Sequence, residues 1–80
     1  MDARQVEEIV SGFLVDELEI DRDKITPESD LREDMGIDSL EVVDMVVLVE
    51  QNFGLKMRPE DFKTVRTFGA LCKYISEKTA

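Results

Sequence analysis

The sequence has 80 residues, with 19 acids and 10 bases, and its net charge is −9 at pH 7. A chain this short is expected to form one domain over residues 1–80, with too little interior for a large enclosed active site. The acidic excess argues against nucleic acid or an anionic membrane as the main partner, and it favours proteins with basic surfaces. Solubility alone would explain the charge equally well.

Residue usage narrows the chemistry further, because the chain has one cysteine, Cys72, and no histidine. A lone cysteine forms no internal disulfide, which favours a reducing, cytoplasmic location. Without histidine the chain lacks the commonest general base and metal ligand, so we expect a non-catalytic protein with no metal site. Early acids such as Asp2, Glu7 and Asp16 are unlike a signal peptide. The longest apolar run, Met45–Val49, is too short to insert into a membrane.

The first predicted element is a helix from Asp2 to about Glu19, opened by a capping box between Asp2 and Gln5. Apolar residues recur along it at spacings of three and four, which places them on one face. They are Val6, Ile9, Val10, Phe13, Leu14 and Leu18. This face should pack in the core.

A long polar connection follows over residues 21–38, where Pro27, Ser29 and Gly36 indicate a loop. Four apolar residues recur within it: Ile25, Leu31, Met35 and Ile37. They predict that the loop packs back on the helices. A loop of this length in so small a domain is often functional.

The second helix is predicted from about Ser39 to Phe53, with Gly54 ending it. Pro59 followed by two acids predicts a short helix, and Thr67 caps a last helix. The apolar stripe of that helix is Phe68, Leu71, Cys72 and Ile75, which places Cys72 in the core. The predicted fold class is therefore all-α, a small bundle of three main helices plus one short helix, with the long loop between helices 1 and 2.

The second helix has apolar side chains on two faces. Its core face is Val42, Met45, Val46, Val49 and Phe53. The opposite face combines apolar and acidic residues, which is typical of a transient protein–protein site. The predicted partner-binding residues are Leu40, Glu41, Asp44, Val47 and Leu48. Cover by the loop or the short helix is the alternative for this face.

Ser39 stands where this helix is expected to begin, so its hydroxyl has two possible roles. Serine is a preferred N-cap, and that role alone would explain its position. A helix start also stabilises negative charge, so a phosphate ester on Ser39 would lie beside free backbone amides. Asp38, directly before it, would place a carboxylate near a metal-bound phosphate donor.

The segment Gly36-Ile37-Asp38-Ser39-Leu40 resembles the phosphopantetheine attachment motif of acyl carrier proteins, and the resemblance extends over essentially the whole chain. It implies that Ser39 carries 4′-phosphopantetheine through a phosphodiester, added by a phosphopantetheinyl transferase. It also implies that acyl groups travel on this arm as thioesters to acyl-processing enzymes, which dock mainly on the second helix. Glu50 would join that docking surface, although the helical projection puts it nearer the core edge.

Members of this family that carry fatty acids fold the acyl chain into the helix bundle. The resemblance implies a matching pocket lined by Val46, Val49, Met57, Phe62, Val65 and Leu71. Ordinary core packing is the alternative for each of these residues. Phe62 is larger than is common at its position and would fill part of such a pocket.

The sequence departs from housekeeping fatty acid carriers at the end of the second helix. Gln51 and Asn52 stand where acids are usual, and positive charge follows at Lys56, Arg58 and Lys63. These changes favour a specialised stand-alone carrier for a lipid, polyketide or peptide pathway, and we expect it to be a monomer. A housekeeping fatty acid carrier is the alternative. A helical adaptor that uses the same face without a prosthetic group is the alternative from another class.

Overall fold

The computed structural model describes residues 2–79 and contains three α-helices: α1 (Ala3–Asp16), α2 (Ser39–Phe53) and α3 (Phe68–Lys78). The predicted short helix before α3 is present as a 3₁₀ helix, Pro59–Lys63. A further 3₁₀ helix, Arg22–Lys24, lies within the long connection and was not predicted. The all-α prediction is confirmed, since residues 2–79 contain no strand.

The ends of α1 follow from local hydrogen bonds. The Asp2 carboxylate accepts a bond from the Gln5 amide at 2.8 Å, and the Gln5 side chain accepts one from the Asp2 amide at 3.3 Å. The predicted capping box is therefore confirmed. The helix ends at Asp16, earlier than the predicted Glu19. Glu19 has a φ of 56°, in the left-handed region, and this turn redirects the chain so that Ile20 is buried.

The predicted apolar stripes meet in one core. Ile9 and Leu18 of the first stripe pack at its margin, half-buried. The buried members of the three α-helices are Val6, Val10, Phe13, Leu14, Val42, Met45, Val49, Phe68, Leu71, Cys72 and Ile75. Within the described part of the chain, no helix has both the length and the apolar character needed to cross a membrane.

The long connection packs back on the bundle, as predicted. Leu31, Met35 and Ile37 are buried and Ile25 is half-buried against the core. Burial of these side chains fixes the path of the loop up to the start of α2, so the segment before Ser39 has a defined position.

Backbone hydrogen bonds tie this connection to the start of α3, and we call this contact the loop clasp. The Leu31 amide donates to the Arg66 carbonyl at 2.8 Å, and the Phe68 amide donates to the Ser29 carbonyl at 3.0 Å. The Gly69 amide donates to the Pro27 carbonyl, also at 3.0 Å. The clasp therefore holds the loop independently of its side chains.

The later helix ends also agree with the sequence. Gly54 has a φ of 68°, and its amide donates to the Glu50 carbonyl, which closes α2 in the left-handed conformation that glycine adopts without strain. The Thr67 hydroxyl accepts a hydrogen bond from the Ala70 amide at 3.1 Å and caps α3. The 3₁₀ helix before it packs on α2 and buries Phe62.

Candidate functional site

Ser39 is exposed at the first position of α2, but it is not the N-cap, which corrects one of the two roles considered for it. The cap is Asp38, whose backbone is extended, with φ −91° and ψ −176°. The Asp38 carboxylate accepts hydrogen bonds from the amides of Leu40 and Glu41, which is the function of an N-cap side chain. Ser39 already has helical geometry, so its hydroxyl is left exposed to solvent without a capping role.

Free backbone amides were expected at the start of α2, but two of them donate to a side chain of the protein itself. The Asp38 Oδ1 atom accepts from the Leu40 amide at 3.0 Å and from the Glu41 amide at 2.9 Å. Glu41 returns a weaker bond, since its Oε1 accepts from the Asp38 amide at 3.4 Å. Asp38 and Glu41 thus form a capping box, and the negative charge at this helix start is the protein's own. A phosphate on Ser39 would therefore find the amides of Leu40 and Glu41 already bonded to Asp38.

The position of Ser39 is set by the residues that precede it. Ile37 is 1% exposed, and its amide donates to the Leu31 carbonyl at 3.0 Å. Gly36 has a φ of 73°, which allows the chain to turn from the loop into the helix without strain. A buried anchor two residues before Ser39 therefore presents the hydroxyl at a fixed place on the surface.

The outer face of α2 carries an exposed apolar stripe, which we define as Leu40, Val43 and Val47. Their exposed fractions are 77%, 50% and 46%, and their spacing of three and four places them side by side. Leu40 and Val47 were predicted from the sequence, but Val43 was missed. The helical projection contained the signal, because Val43 lies about 60° from Leu40 and about 40° from Val47 on the same side of the helix.

The other predicted partner-binding residues differ in exposure. Asp44 is exposed beside the apolar stripe, whereas Leu48 is half-buried against the core. Glu41 is half-buried and belongs to the capping box. Glu50 is exposed. Of the predicted partner-binding residues, Leu40, Asp44 and Val47 are thus the exposed ones.

Two of the six predicted acyl-pocket residues lie beside open space. Phe62 and Val65 line a cleft of about 260 Å³, together with Val42 of α2 and Leu31 of the loop. The remaining four pack in the core or against it: Val46, Val49, Met57 and Leu71. The open space near the site is therefore a surface cleft between α2, the loop and the 3₁₀ helix Pro59–Lys63.

Cys72 is buried in the stripe of α3, as predicted. Burial raises the pKa of its thiol to about 12, and the nearby Glu7 carboxylate acts in the same direction. The thiol therefore stays protonated near neutral pH, which makes it a poor nucleophile. Ser39, in contrast, is a reachable hydroxyl on a rigid element.

The sequence matches a known protein family. A family model described as a phosphopantetheine attachment site matches residues 8–75 of the 80. The matched span begins within α1 and includes the long loop, Ser39, the whole of α2 and most of α3.

Proposed function

The chain belongs to the family of phosphopantetheine-binding carrier proteins, whose domain holds a covalently attached 4′-phosphopantetheine, and from this premise we propose that Ser39 is the attachment residue. The observation that carries the proposal is the division of roles at the start of α2. Asp38 supplies the cap, so the exposed Ser39 hydroxyl has no structural task. It lies within the matched span and directly before the apolar stripe.

We propose that a transferase catalyses the attachment, because the chain has no histidine, the commonest general base, and the neighbouring Asp38 carboxylate accepts the hydrogen bonds of the helix cap. The Ser39 oxygen attacks the phosphorus of coenzyme A that bears the pantetheine. A new phosphorus–oxygen bond forms, the bond to the adenosine bisphosphate breaks, and a base of the transferase takes the proton. The thiol at the end of the attached arm then carries acyl groups as thioesters.

The outer face of α2 is our proposed docking surface for the transferase and for acyl-processing enzymes. The apolar stripe offers side chains whose contact with a partner is favourable because it removes apolar surface from water. Asp44 beside it, in a chain of net charge −9, attracts basic partners over a longer range. Leu40, the most exposed of the stripe and adjacent to Ser39, is best placed to contact every enzyme that works at the attached arm.

The pathway we propose is a specialised lipid, polyketide or peptide pathway. Gln51 and Asn52 are exposed at the end of α2, and the exposed Lys56, Arg58 and Lys63 follow. A partner that recognises acidic side chains in this region would meet neutral and positively charged side chains instead. Housekeeping fatty acid synthesis is the second candidate, supported by the shared family alone.

The helical adaptor without a prosthetic group loses its main support. In an adaptor the only role of Ser39 would be that of a helix cap, and Asp38 has this role instead. A capping aspartate also makes the serine hydroxyl dispensable for the fold, so a function outside the fold explains its presence better.

The test is intact mass spectrometry after incubation with coenzyme A and a phosphopantetheinyl transferase of broad specificity. Wild type should gain one phosphopantetheine, because the Ser39 hydroxyl is exposed. Ser39→Ala should gain none. Ser76→Ala, which removes the half-buried serine hydroxyl of α3, is the control and should gain one. No mass gain on folded wild-type protein would overturn the carrier function and restore the adaptor.

A further inference from the structure

The cleft next to the head of α2 has an apolar floor. The floor consists of four side chains that are largely buried: Leu31, Val42, Phe62 and Val65. Its volume is about 260 Å³, below the range of about 300–1,000 Å³ that is usual for clefts that enclose drug-sized ligands. We call it the head cleft. Its size suits a short hydrocarbon chain rather than a long one.

The rim of the head cleft is positively charged, although the chain as a whole carries −9. The charged residues that line it are Arg32, Lys63, Arg66 and a single acid, Asp30. A groove elsewhere on the described surface, between α1 and α2, shows the contrast, since it is lined by Glu8, Asp16 and Glu17 and by no base.

Asp30 neutralises only part of this charge. Its Oδ1 accepts hydrogen bonds from the amides of Arg32 at 2.8 Å and Glu33 at 2.9 Å, so that oxygen holds the loop. Its Oδ2 lies 4.0 Å from the Nε atom of Arg66, whose side chain is still 63% exposed. The guanidinium of Arg32 and the ammonium of Lys63 remain available to a ligand at the rim.

The head cleft lies within reach of a group attached to Ser39. Val42, part of its floor, is three residues after Ser39 on α2. Residues three apart on a helix are surface neighbours, with Cβ atoms about 5–6 Å apart. A flexible arm on Ser39 can therefore fold back so that its end enters the cleft.

We propose, on the basis of the proposed role of Ser39, that the head cleft receives a short acyl group whose free end is a carboxylate. The methylene groups contact the apolar floor, and the carboxylate meets the cations of the rim. Arginine suits this role because its planar guanidinium pairs with a carboxylate through two parallel hydrogen bonds. The cargo class is thus the half-thioester of a dicarboxylic acid, and a plain fatty acyl chain would leave the rim without a partner.

The experiment compares two cargoes on the same carrier. The arm is first attached and counted by intact mass, and the holo protein is then loaded with adipoyl or with its neutral monomethyl ester. Adipoyl should move the amide NMR signals of Val42, Phe62 and Val65 more than the ester does. It should also slow cleavage of the thioester by hydroxylamine about two- to fivefold, the range expected for a solvent-exposed ion pair. Equal rates and equal shifts for the two cargoes would overturn the proposal.

Two double variants test whether the cations of the rim cause the difference between adipoyl and the ester. Arg32→Gln/Lys63→Gln removes the two cations that remain available at the rim and should abolish the advantage of adipoyl over the ester. Lys24→Gln/Lys73→Gln removes two exposed cations that do not line the cleft and should preserve it. Persistence of the advantage in the first variant would contradict the proposal. If a variant fails to fold, the comparison of the two cargoes on wild type still decides between the outcomes.

The attached phosphodiester is the other anion that the rim could bind. If it binds there, attachment of the bare arm alone moves the three amide signals and adipoyl adds nothing, which would overturn the proposal. Failure of the arm to attach at all would instead overturn the role of Ser39. Complete attachment with equal behaviour of both cargoes overturns the head cleft alone.

Discussion

Asp38 and Ser39 differ in role at the start of α2. The aspartate accepts the backbone bonds, and the serine keeps its hydroxyl in solvent. Substitutions at adjacent positions should therefore separate stability from attachment.

Asp38→Ala should lower the free energy of unfolding by about 1 kcal/mol, because it removes the N-cap of α2. Ser39→Ala should change it by less than about 0.5 kcal/mol, as expected for a surface substitution away from a cap. Urea denaturation of the apo proteins measures both values. A larger loss for Ser39→Ala than for Asp38→Ala would mean that the serine has the structural role.

Asp30 gives the loop a dependence on pH. Hydrogen bonds from the amides of Glu33 and Arg32 hold the pKa of its carboxyl below the ordinary value of 3.8, with a smaller contribution from Arg66. A lowered folded pKa means that the stabilisation is complete above the unfolded pKa and is lost as pH falls through the folded one. Asp30→Ala should therefore be less stable than wild type at neutral pH, and the difference should narrow below about pH 4. Urea denaturation at neutral and acidic pH measures it, and a constant difference would contradict the prediction.

Sequence reasoning at the scale of residues succeeded where the signal is local. The Asp2–Gln5 box and Gly54 are set by side chains and backbone within one turn, and both were predicted. The choice between Asp38 and Ser39 as cap was not accessible, because both residue types cap well and only the backbone angles distinguish them. Val43 was accessible from the projection of α2, yet it was overlooked.

At the scale of elements, the apolar stripes predicted the three α-helices because helical periodicity repeats over many residues. The loop clasp has no comparable pattern in the sequence. Its three bonds join backbone groups of the loop to residues 66–69, and any sequence supplies backbone amides and carbonyls. The burial of Leu31 and Ile37 was predicted, but the partner that holds the loop in place was not.

Gly69 is the position where the loop clasp depends on residue type. A Cβ atom added there would lie 2.9 Å from the Pro27 carbonyl oxygen, closer than such atoms are found, and a backbone oxygen cannot move aside cheaply. Gly69→Ala should therefore destabilise the protein by about 1–3 kcal/mol, the usual cost of overpacking. Thermal and urea unfolding measure the change.

Gly12 provides the matched control for that substitution. It lies inside α1, and an added Cβ would meet nothing within 4 Å. Gly12→Ala should stabilise the protein by about 0.5–1 kcal/mol through its helix propensity. Equal effects of the two substitutions would show that the contact with Pro27 does not constrain the loop.

At the scale of the whole molecule, the two surfaces of α2 that lie near Ser39 differ in charge and in apolar character. The outer face of α2 carries the apolar stripe and Asp44, while its inner edge borders the cationic head cleft. The acidic face suits basic enzymes, and the cationic cleft suits an acidic cargo. Under these two proposals, enzyme docking and cargo binding use surfaces of opposite charge, so each can be altered without the other.

Transferase kinetics at low and high ionic strength should distinguish the apolar contribution of the outer face of α2 from its electrostatic contribution. Val47→Asn removes an apolar contact and should lower kcat/KM at both ionic strengths, by about fivefold for a loss of about 1 kcal/mol. Asp44→Asn removes a steering charge and should lower kcat/KM at low ionic strength only, because salt screens exposed charges. Asp23→Asn, an exposed acid of the first 3₁₀ helix, controls for net charge and should have little effect at either. If Asp23→Asn lowers the rate as much as Asp44→Asn, the partner senses the total charge of the domain, and α2 is not the surface that orients it.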